Sequence, residues 1–208
     1  MIYASKRELL EKNITKNDVV LDVGFWGQGV DPNNSNWPHN VIKSLAKEVY
    51  GLDLVVGEEF LKDTKHYKQE AAETAQFDVR FDKIFAGDLI EHLVNPGLFL
   101  DGCKKMLKDD GKLILTTPNT FNLFNLTEKL TKYDPTTNPD HTFYFNPKVI
   151  KVLLEKCGWK VERIDYLYKL DMLHKESFKK RILNFIYSVL SRFTDKYMET
   201  MVVVAIKN

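Results

Sequence analysis

VVLDVGFWGQGV, residues 19–30, is the stretch whose reading decides the fold of this chain. Val19, Val20, Leu21 and Val23 form a short apolar run, the pattern of a strand covered on both faces in a parallel sheet. Gly24, Gly27 and Gly29 follow, giving a turn that brings backbone close to a ligand. Asp22 sets the kind of ligand. It stands two residues before the first glycine, where a strand that faces a pyrophosphate stays apolar. A carboxylate there repels phosphate and suits an ammonium or sulfonium, which argues against NAD.

Outward from that turn, strand and helix signals alternate. Residues 5–13 read as a short amphipathic helix, 39–48 as a second, 96–107 as a third and 147–157 as a fourth with proline at its start. Strands are expected at 49–55, 66–71, 81–86, 111–117, 159–166 and 200–206. This alternation implies a parallel sheet with helices on both faces, and a ligand site at the carboxyl ends of the strands. Asp22, Asp53, Asp88 and Thr117 all fall at such ends, so four separate strands place polar groups along one rim. Residues 119–146 are too long and polar for a simple connection and are expected to be functional.

Composition narrows the function. The 208 residues suit one domain, 1–208, with a core of its own. Thirty Lys and Arg against 29 Asp and Glu leave a formal charge of +1, so no nucleic-acid partner is expected. Cys103 and Cys157 lack metal-ligand spacing and read as reduced thiols of a cytoplasmic protein. The start, MIYASKRELLEKN, is too charged for a signal peptide, and no apolar run reaches a membrane span.

The chain resembles the class I S-adenosylmethionine-dependent methyltransferases. The matching pieces, in order, are VLDVG, YGLDL, FDKIFAGDLIEHL, LKDDGKLILTTPN and DHTFYFNPKVIKVLLEKCGW. NPGLFL and TTPN are similar to small methyltransferases found among glycan-assembly enzymes. The resemblance implies an α/β, Rossmann-like fold: a seven-stranded, mostly parallel sheet in the order 3-2-1-4-5-7-6, its seventh strand antiparallel and formed by METMVVVAIKN. It implies S-adenosyl-L-methionine as cofactor, with Gly24, Gly27 and Gly29 around the methionine portion beside Asp22. Asp53, followed by Leu54, would take both ribose hydroxyls, since two carboxylate oxygens match two adjacent donors. Ala72 is placed near the adenine, and Asp88 and Leu89 at the methionine end. Phe25 and Trp26 between the first two glycines depart from the usual spacing, which leaves open which glycine touches the ligand.

Chemistry at the acceptor end has several candidates. In DLIEH, a helical turn would put Asp88, Glu91 and His92 on one face, either as ligands for a divalent metal or with Asp88 bordering the cofactor's methionine end while Glu91 and His92 shape the substrate pocket. Three ligands on one turn usually need help from elsewhere, so no metal is assigned. Methylation of a hydroxyl needs a base, and imidazole suits neutral pH. His141 in NPDHTFYF is the first candidate base and His92 the second; the alternative for His141 is packing against Phe143 and Tyr144. His39 and His66 are expected to be structural or exposed. Trp26 and Trp37 are either a stacking face for a sugar or buried aromatics.

An insertion at about 171–195 between the last two strands carries an apolar stripe, Ile182, Leu183, Phe185, Ile186, Val189, Leu190 and Phe193, with a basic start. Residues 172–193 would either pack on the domain or contact a membrane surface or partner. Two functions follow: O-methylation of a sugar, glycan-like or other small-molecule acceptor, or a degenerate relative serving as a non-catalytic partner subunit. Intact Asp22, Asp53, DLIEHL and TTPN favour the enzyme. The oligomeric state is not readable.

Overall fold

In the computed structural model the residues described are 1–27, 31–129, 138–167, 186, 189, 194, 195 and 197–208. Their elements run in chain order β1 (Ile2–Tyr3), α1 (Lys6–Asn13), β2 (Val19–Val23), α2 (Pro38–Leu45), β3 (Glu48–Asp53), α3 (Glu58–Leu61), β4 (Tyr67–Gln69) and β5 (Phe81–Gly87). A 3-10 turn at Ile90–His92 leads to α4 (Pro96–Met106), β6 (Leu107–Pro118), α5 (Leu123–Lys129), α6 (Pro147–Lys156), β7 (Trp159–Leu167) and β8 (Thr200–Lys207).

The sheet order is β1-β7-β8-β6-β5-β2-β3-β4. Without the two-residue β1, and read from the far edge, this is the expected 3-2-1-4-5-7-6. β8 is antiparallel to both β6 and β7, while β2, β3, β4, β5 and β6 pair in parallel. The sheet therefore has eight strands rather than seven, because Ile2 and Tyr3 add to the free edge of β7. Sequence patterning misses such a strand, since two residues show no period.

Local chemistry sets the helix starts. Ser5 caps α1 by accepting from the Glu8 N–H, and Asn95 caps α4 by accepting from Leu98 N–H, with Pro96 next in line. Asn146 accepts from both Lys148 and Val149 before Pro147 opens α6. On one face of the sheet Leu21, Leu52, Ile84, Leu113 and Val203 pack with Phe99, Leu100, Ile150 and Leu154 from α4 and α6. On the other, Val20, Phe85, Ile114 and Val202 pack with Leu9, Leu10, Val41 and Ile42 from α1 and α2. Each such side chain contributes about 1.5–3 kcal/mol relative to exposure. Both faces of β2 are thus covered, which is why its sequence is an unbroken apolar run around Asp22.

A third, smaller cluster lies beyond the ends of β2 and β3: Phe25, Trp37 and Val56, with Trp26, Phe60 and Tyr67 against them. Gly51 makes room for it, since a Cβ there would lie 2.7 Å from Tyr67 Cδ1 and 2.8 Å from Phe25 Cε1. Trp37 is buried and its indole N–H donates to the Phe25 carbonyl at 2.9 Å, so it is one of the buried aromatics rather than a stacking face. Helix α5 falls within the expected long loop. Of the expected helix at 172–193, all but residues 186 and 189 lie outside the described residues, as do most of the insertion at 171–195 and Gly29. Among the described residues no helix is long and apolar enough to cross a membrane.

Candidate active site

The carboxyl ends of β2, β3, β5 and β6 meet on one rim, and the polar groups there fall into two neighbouring sets. The first surrounds a cavity of about 170 Å³ lined by Lys6, Asp22, Gly24, Phe25, Gly27, Trp37 and others. Asp22, 2 % exposed, brings a carboxylate to its wall, and burial pushes that carboxyl above the usual range. Gly24 turns the chain at φ +75°, where a side chain is strained, and a Cβ would come within 3.2 Å of Leu89. Gly27 has open space around the same position.

Lys6 enters this cavity from α1 and places Nζ 2.8 Å from Asp88 Oδ2. Asp88 sits at φ 52°, an uncommon conformation for a residue with a side chain. Its N–H donates to the Thr116 carbonyl at 2.9 Å, and Thr116 Oγ1 donates to Asp88 Oδ1 at 2.9 Å. An acid and an ammonium facing one small cavity suit a ligand end that carries both an ammonium and a carboxylate.

Asp53 ends β3 as expected, half-buried. Its Oδ2 accepts from the Trp26 N–H at 2.8 Å and its Oδ1 from the Val55 N–H at 3.3 Å. Each oxygen has a second lone pair, so capacity for a diol remains. Leu54 beside it is 67 % exposed, an apolar surface at the rim. Leu89 packs on the main core with its methyl toward Gly24, and Ala72 is buried in that core.

The second set is the acceptor end. The expected single helical face of Asp88, Glu91 and His92 does not form. Asp88 stands outside the 3-10 turn in its left-handed conformation and is held by Lys6 and Thr116. Glu91 points the other way, 1 % exposed, its Oε2 accepting from Thr117 Oγ1 at 2.9 Å. Its Oε1 is buried with no hydrogen-bond partner among the described residues. Burial, then the charge of Asp88, push this carboxyl up to about 7.

His141 replaces Asp88 in the cluster. Ligand-capable atoms of Glu91, His92 and His141 all lie within 4.8 Å of one another. The two imidazoles meet edge to face with centroids 4.6 Å apart. The loop is tied there by backbone: Thr142 and Phe143 N–H donate to the Glu91 carbonyl at 2.9 and 3.2 Å, and Thr142 Oγ1 donates to the Leu93 carbonyl at 2.8 Å. His141 thus packs against His92 rather than on Phe143, which stacks on Phe145. Burial and the neighbouring His92 hold the His141 imidazole below its usual value, favouring the neutral ring. Val94, Phe143 and Tyr144, within three residues of the pair in sequence, are exposed.

Three residues of this rim escaped sequence reading: Lys6, His39 and Tyr67. His39, expected to be structural or exposed, is fully buried with Nδ1 3.0 Å from Asp22 Oδ2. No local pattern marks them, since each reaches the site across many residues of chain.

With this geometry in view, comparison with known proteins is informative. A family model described as a methyltransferase domain matches residues 3–164, well over half of the chain. The chain belongs to the class I S-adenosylmethionine-dependent methyltransferases. It is 26 % identical over 171 residues to the ubiquinone biosynthesis O-methyltransferase of Dinoroseobacter shibae, covering 73 % of this chain and 64 % of that protein. The methyltransferase chain thus spans less than two thirds of that relative's length. In fold it is similar to an S-adenosylmethionine-dependent methyltransferase from Archaeoglobus fulgidus, with TM-score 0.59, 18 % identity, and 97 % and 94 % of the two chains covered. It is also similar to the 1,6-didemethyltoxoflavin-N1-methyltransferase of Burkholderia thailandensis, solved with S-adenosylhomocysteine, with TM-score 0.61, 14 % identity, and 98 % and 76 % covered. The acid, the lysine and the glycine cradle at the end of β2 fit a cofactor with a zwitterionic amino-acid end.

Proposed function

We propose that this methyltransferase transfers a methyl group to a hydroxyl oxygen of a small ring-bearing acceptor, a phenol or a sugar. The observation that carries the reading is the His92–His141 pair, set beside buried Glu91 on the same rim as the Asp22 cavity. S-adenosylmethionine, when bound, supplies a methyl group already activated on a sulfonium, so little is asked of the protein beyond alignment and a proton sink. Asp22 would hold the cofactor's ammonium, Lys6 its carboxylate and Asp53 the ribose, with Gly24, Gly27, Gly29 and Leu89 around the methionine portion, and Leu54 and Ala72 toward the base. Asp88 orients Lys6. His141 is placed to take the hydroxyl proton at a ring nitrogen, with His92 next to it. Val94, Phe143 and Tyr144 would cover the ring face of the acceptor and exclude water. An O-methyltransferase among the relatives supports the choice of oxygen. Cys103 and Cys157, both free thiols, agree with a cytoplasmic setting.

Calorimetric titration with S-adenosylmethionine and S-adenosylhomocysteine tests the cofactor half; absence of binding to both would leave the partner-subunit reading. Labelled methyl transfer to a panel of phenols and sugars tests the other half. Transfer only to amines, thiols or carboxylates would overturn O-methylation of a hydroxyl.

One observation favours a second reading of the acceptor end. Among the described residues Glu91 Oε1 is buried without a hydrogen-bond partner, and a carboxylate oxygen of Glu91 lies within 4.8 Å of ring nitrogens of His92 and His141, so a divalent cation held by the three would satisfy this carboxylate. Turnover abolished by EDTA and restored by a divalent ion supports this; full turnover after exhaustive chelation removes it.

A further inference from the structure

Asp22 lies buried on β2, a strand paired on both sides, and a carboxylate that deep needs a donor to stay charged. The donor is His39, fully buried at the second position of α2, with Nδ1 3.0 Å from Asp22 Oδ2. An ionised carboxylate only accepts, so Nδ1 carries the proton. The other ring nitrogen, Nε2, is 3.1 Å from the Tyr67 hydroxyl on β4. Burial pushes the Tyr67 phenol up to about 12, so its O–H remains and donates to Nε2. With Asp22 ionised, the order that satisfies all three groups is O–H to Nε2, then Nδ1–H to Oδ2. Among the described residues no protein donor reaches Asp22 Oδ1, and Asp22 lines the cavity.

We infer that His39 and Tyr67 are positioning residues for the cofactor's cationic amino-acid end. Tyr67 locks His39 in the Nδ1–H tautomer, and His39 holds Asp22 ionised with its second oxygen left for the ligand. This rests on the cofactor site proposed above. Without that hydroxyl Nε2 has no donor, the ring is no longer fixed in one tautomer, and Asp22 loses the Nδ1–H that keeps its charge available to an ammonium. Other charged groups bear on the pair: Lys6 from α1 and Asp53 from the end of β3 act on Asp22, and Asp63 before β4 acts on Tyr67. Lys43, one turn on in α2, lies over the Phe60 ring, and β5 faces Asp22 with Phe85. None of these supplies a second donor to Nε2.

The test is calorimetric titration with S-adenosylmethionine at one neutral pH. It compares the natural protein with Tyr67→Phe, His39→Asn and His39→Phe, each dissociation constant being taken as a ratio to the natural one. Tyr67→Phe removes the donor to Nε2 and should bind about three- to tenfold more weakly, the worth of one neutral hydrogen bond. His39→Asn keeps an amide donor for Asp22 and should stay within about threefold. His39→Phe should lose on the order of 10–100-fold, the cost of leaving a buried carboxylate without its donor. Nitrogen-15 spectra of the natural protein should show His39 protonated at Nδ1 alone. A Tyr67→Phe or His39→Phe affinity equal to the natural one, or a proton on Nε2, each overturns the proposal. Failure of the natural protein to bind any cofactor overturns it together with the site, while the spectra still report separately on the tautomer.

Discussion

Lys6 Nζ lies 2.8 Å from Asp88 Oδ2, joining the first turn of α1 to the left-handed residue that follows β5. Eighty-two residues separate the two in sequence. The left-handed backbone costs about 1–2 kcal/mol for a residue with a side chain, less for Asp. It is kept because bonds converge on it: Lys6 and Thr116 Oγ1 donate to its carboxylate, and its N–H donates to the Thr116 carbonyl and hydroxyl.

Lys6→Met should weaken S-adenosylmethionine binding by about 1.5–3 kcal/mol, the worth of a hydrogen bond to a charged group. Decarboxylated S-adenosylmethionine is the control, since it lacks the carboxylate assigned to Lys6. The substitution should leave its affinity nearly unchanged. Equal losses for both ligands would mean that Lys6 acts through Asp88 instead. Both side chains of the pair are about 30 % exposed, so the change in thermal stability should stay below about 1 kcal/mol.

Asp53→Ala should weaken cofactor binding by about 1.5–3 kcal/mol, again measured by calorimetry. Asp53→Asn keeps one acceptor and should retain part of that. A purely structural part for Asp53, through its bond to the Trp26 N–H, makes a different forecast: the Gly24–Gly27 turn would loosen, and Trp26 fluorescence would shift in the free protein. Tight binding by Asp53→Ala would refute the ribose assignment.

The strands were legible because each buried strand carries an apolar run with a polar group at its carboxyl end; their order came from the family resemblance. Asp22, Asp53 and Thr117 stand where those runs stop. What was not legible depends on contacts between distant segments. DLIEH suggested a helical turn with three ligands on one face, yet Thr116 and Thr117, neighbours on β6, point to opposite faces of the sheet and draw Asp88 and Glu91 apart. His141 then reaches Glu91 and His92 because Thr142 is bonded to the Glu91 and Leu93 carbonyls. Likewise His39 looked unaccompanied in sequence because its partners, Asp22 and Tyr67, lie on β2 and β4.

Acid should open the far edge of the sheet first. His66 sits between Glu48 Oε1 at 2.9 Å and Asp63 Oδ2 at 2.7 Å, and Lys65 reaches Glu48 at 2.9 Å. The bonds from His66 and then Lys65 hold the Glu48 carboxyl down from its ordinary 4.5 to about 2. A carboxyl depressed by folding contributes stability above its unfolded value and loses it as pH falls toward the folded one. The contribution is therefore complete above about pH 4.5 and disappears on the way to about pH 2. Glu48→Gln should flatten that acid limb in thermal melts while changing cofactor affinity little. An unchanged limb would assign it to other carboxylates.

The final expectation concerns the proton that leaves the acceptor. A hydroxyl loses it as the carbon–oxygen bond forms, and a neutral imidazole within reach takes it. His141 is held toward the neutral form by burial and by His92, and its ring is fixed edge to face on that second imidazole. His141→Gln should lower the rate of methyl transfer by about 10²–10⁴-fold, the range of general-base catalysis, with cofactor affinity nearly unchanged. His92→Gln should cost less, since its part is to place His141. The reverse ranking would put the base on the 3-10 turn after β5. Loss of transfer in both variants together with loss of divalent-ion binding would instead make the pair ligands. If neither substitution slows the reaction, the acceptor reaches the enzyme already ionised, and a phenolate displaces a sugar hydroxyl as the substrate.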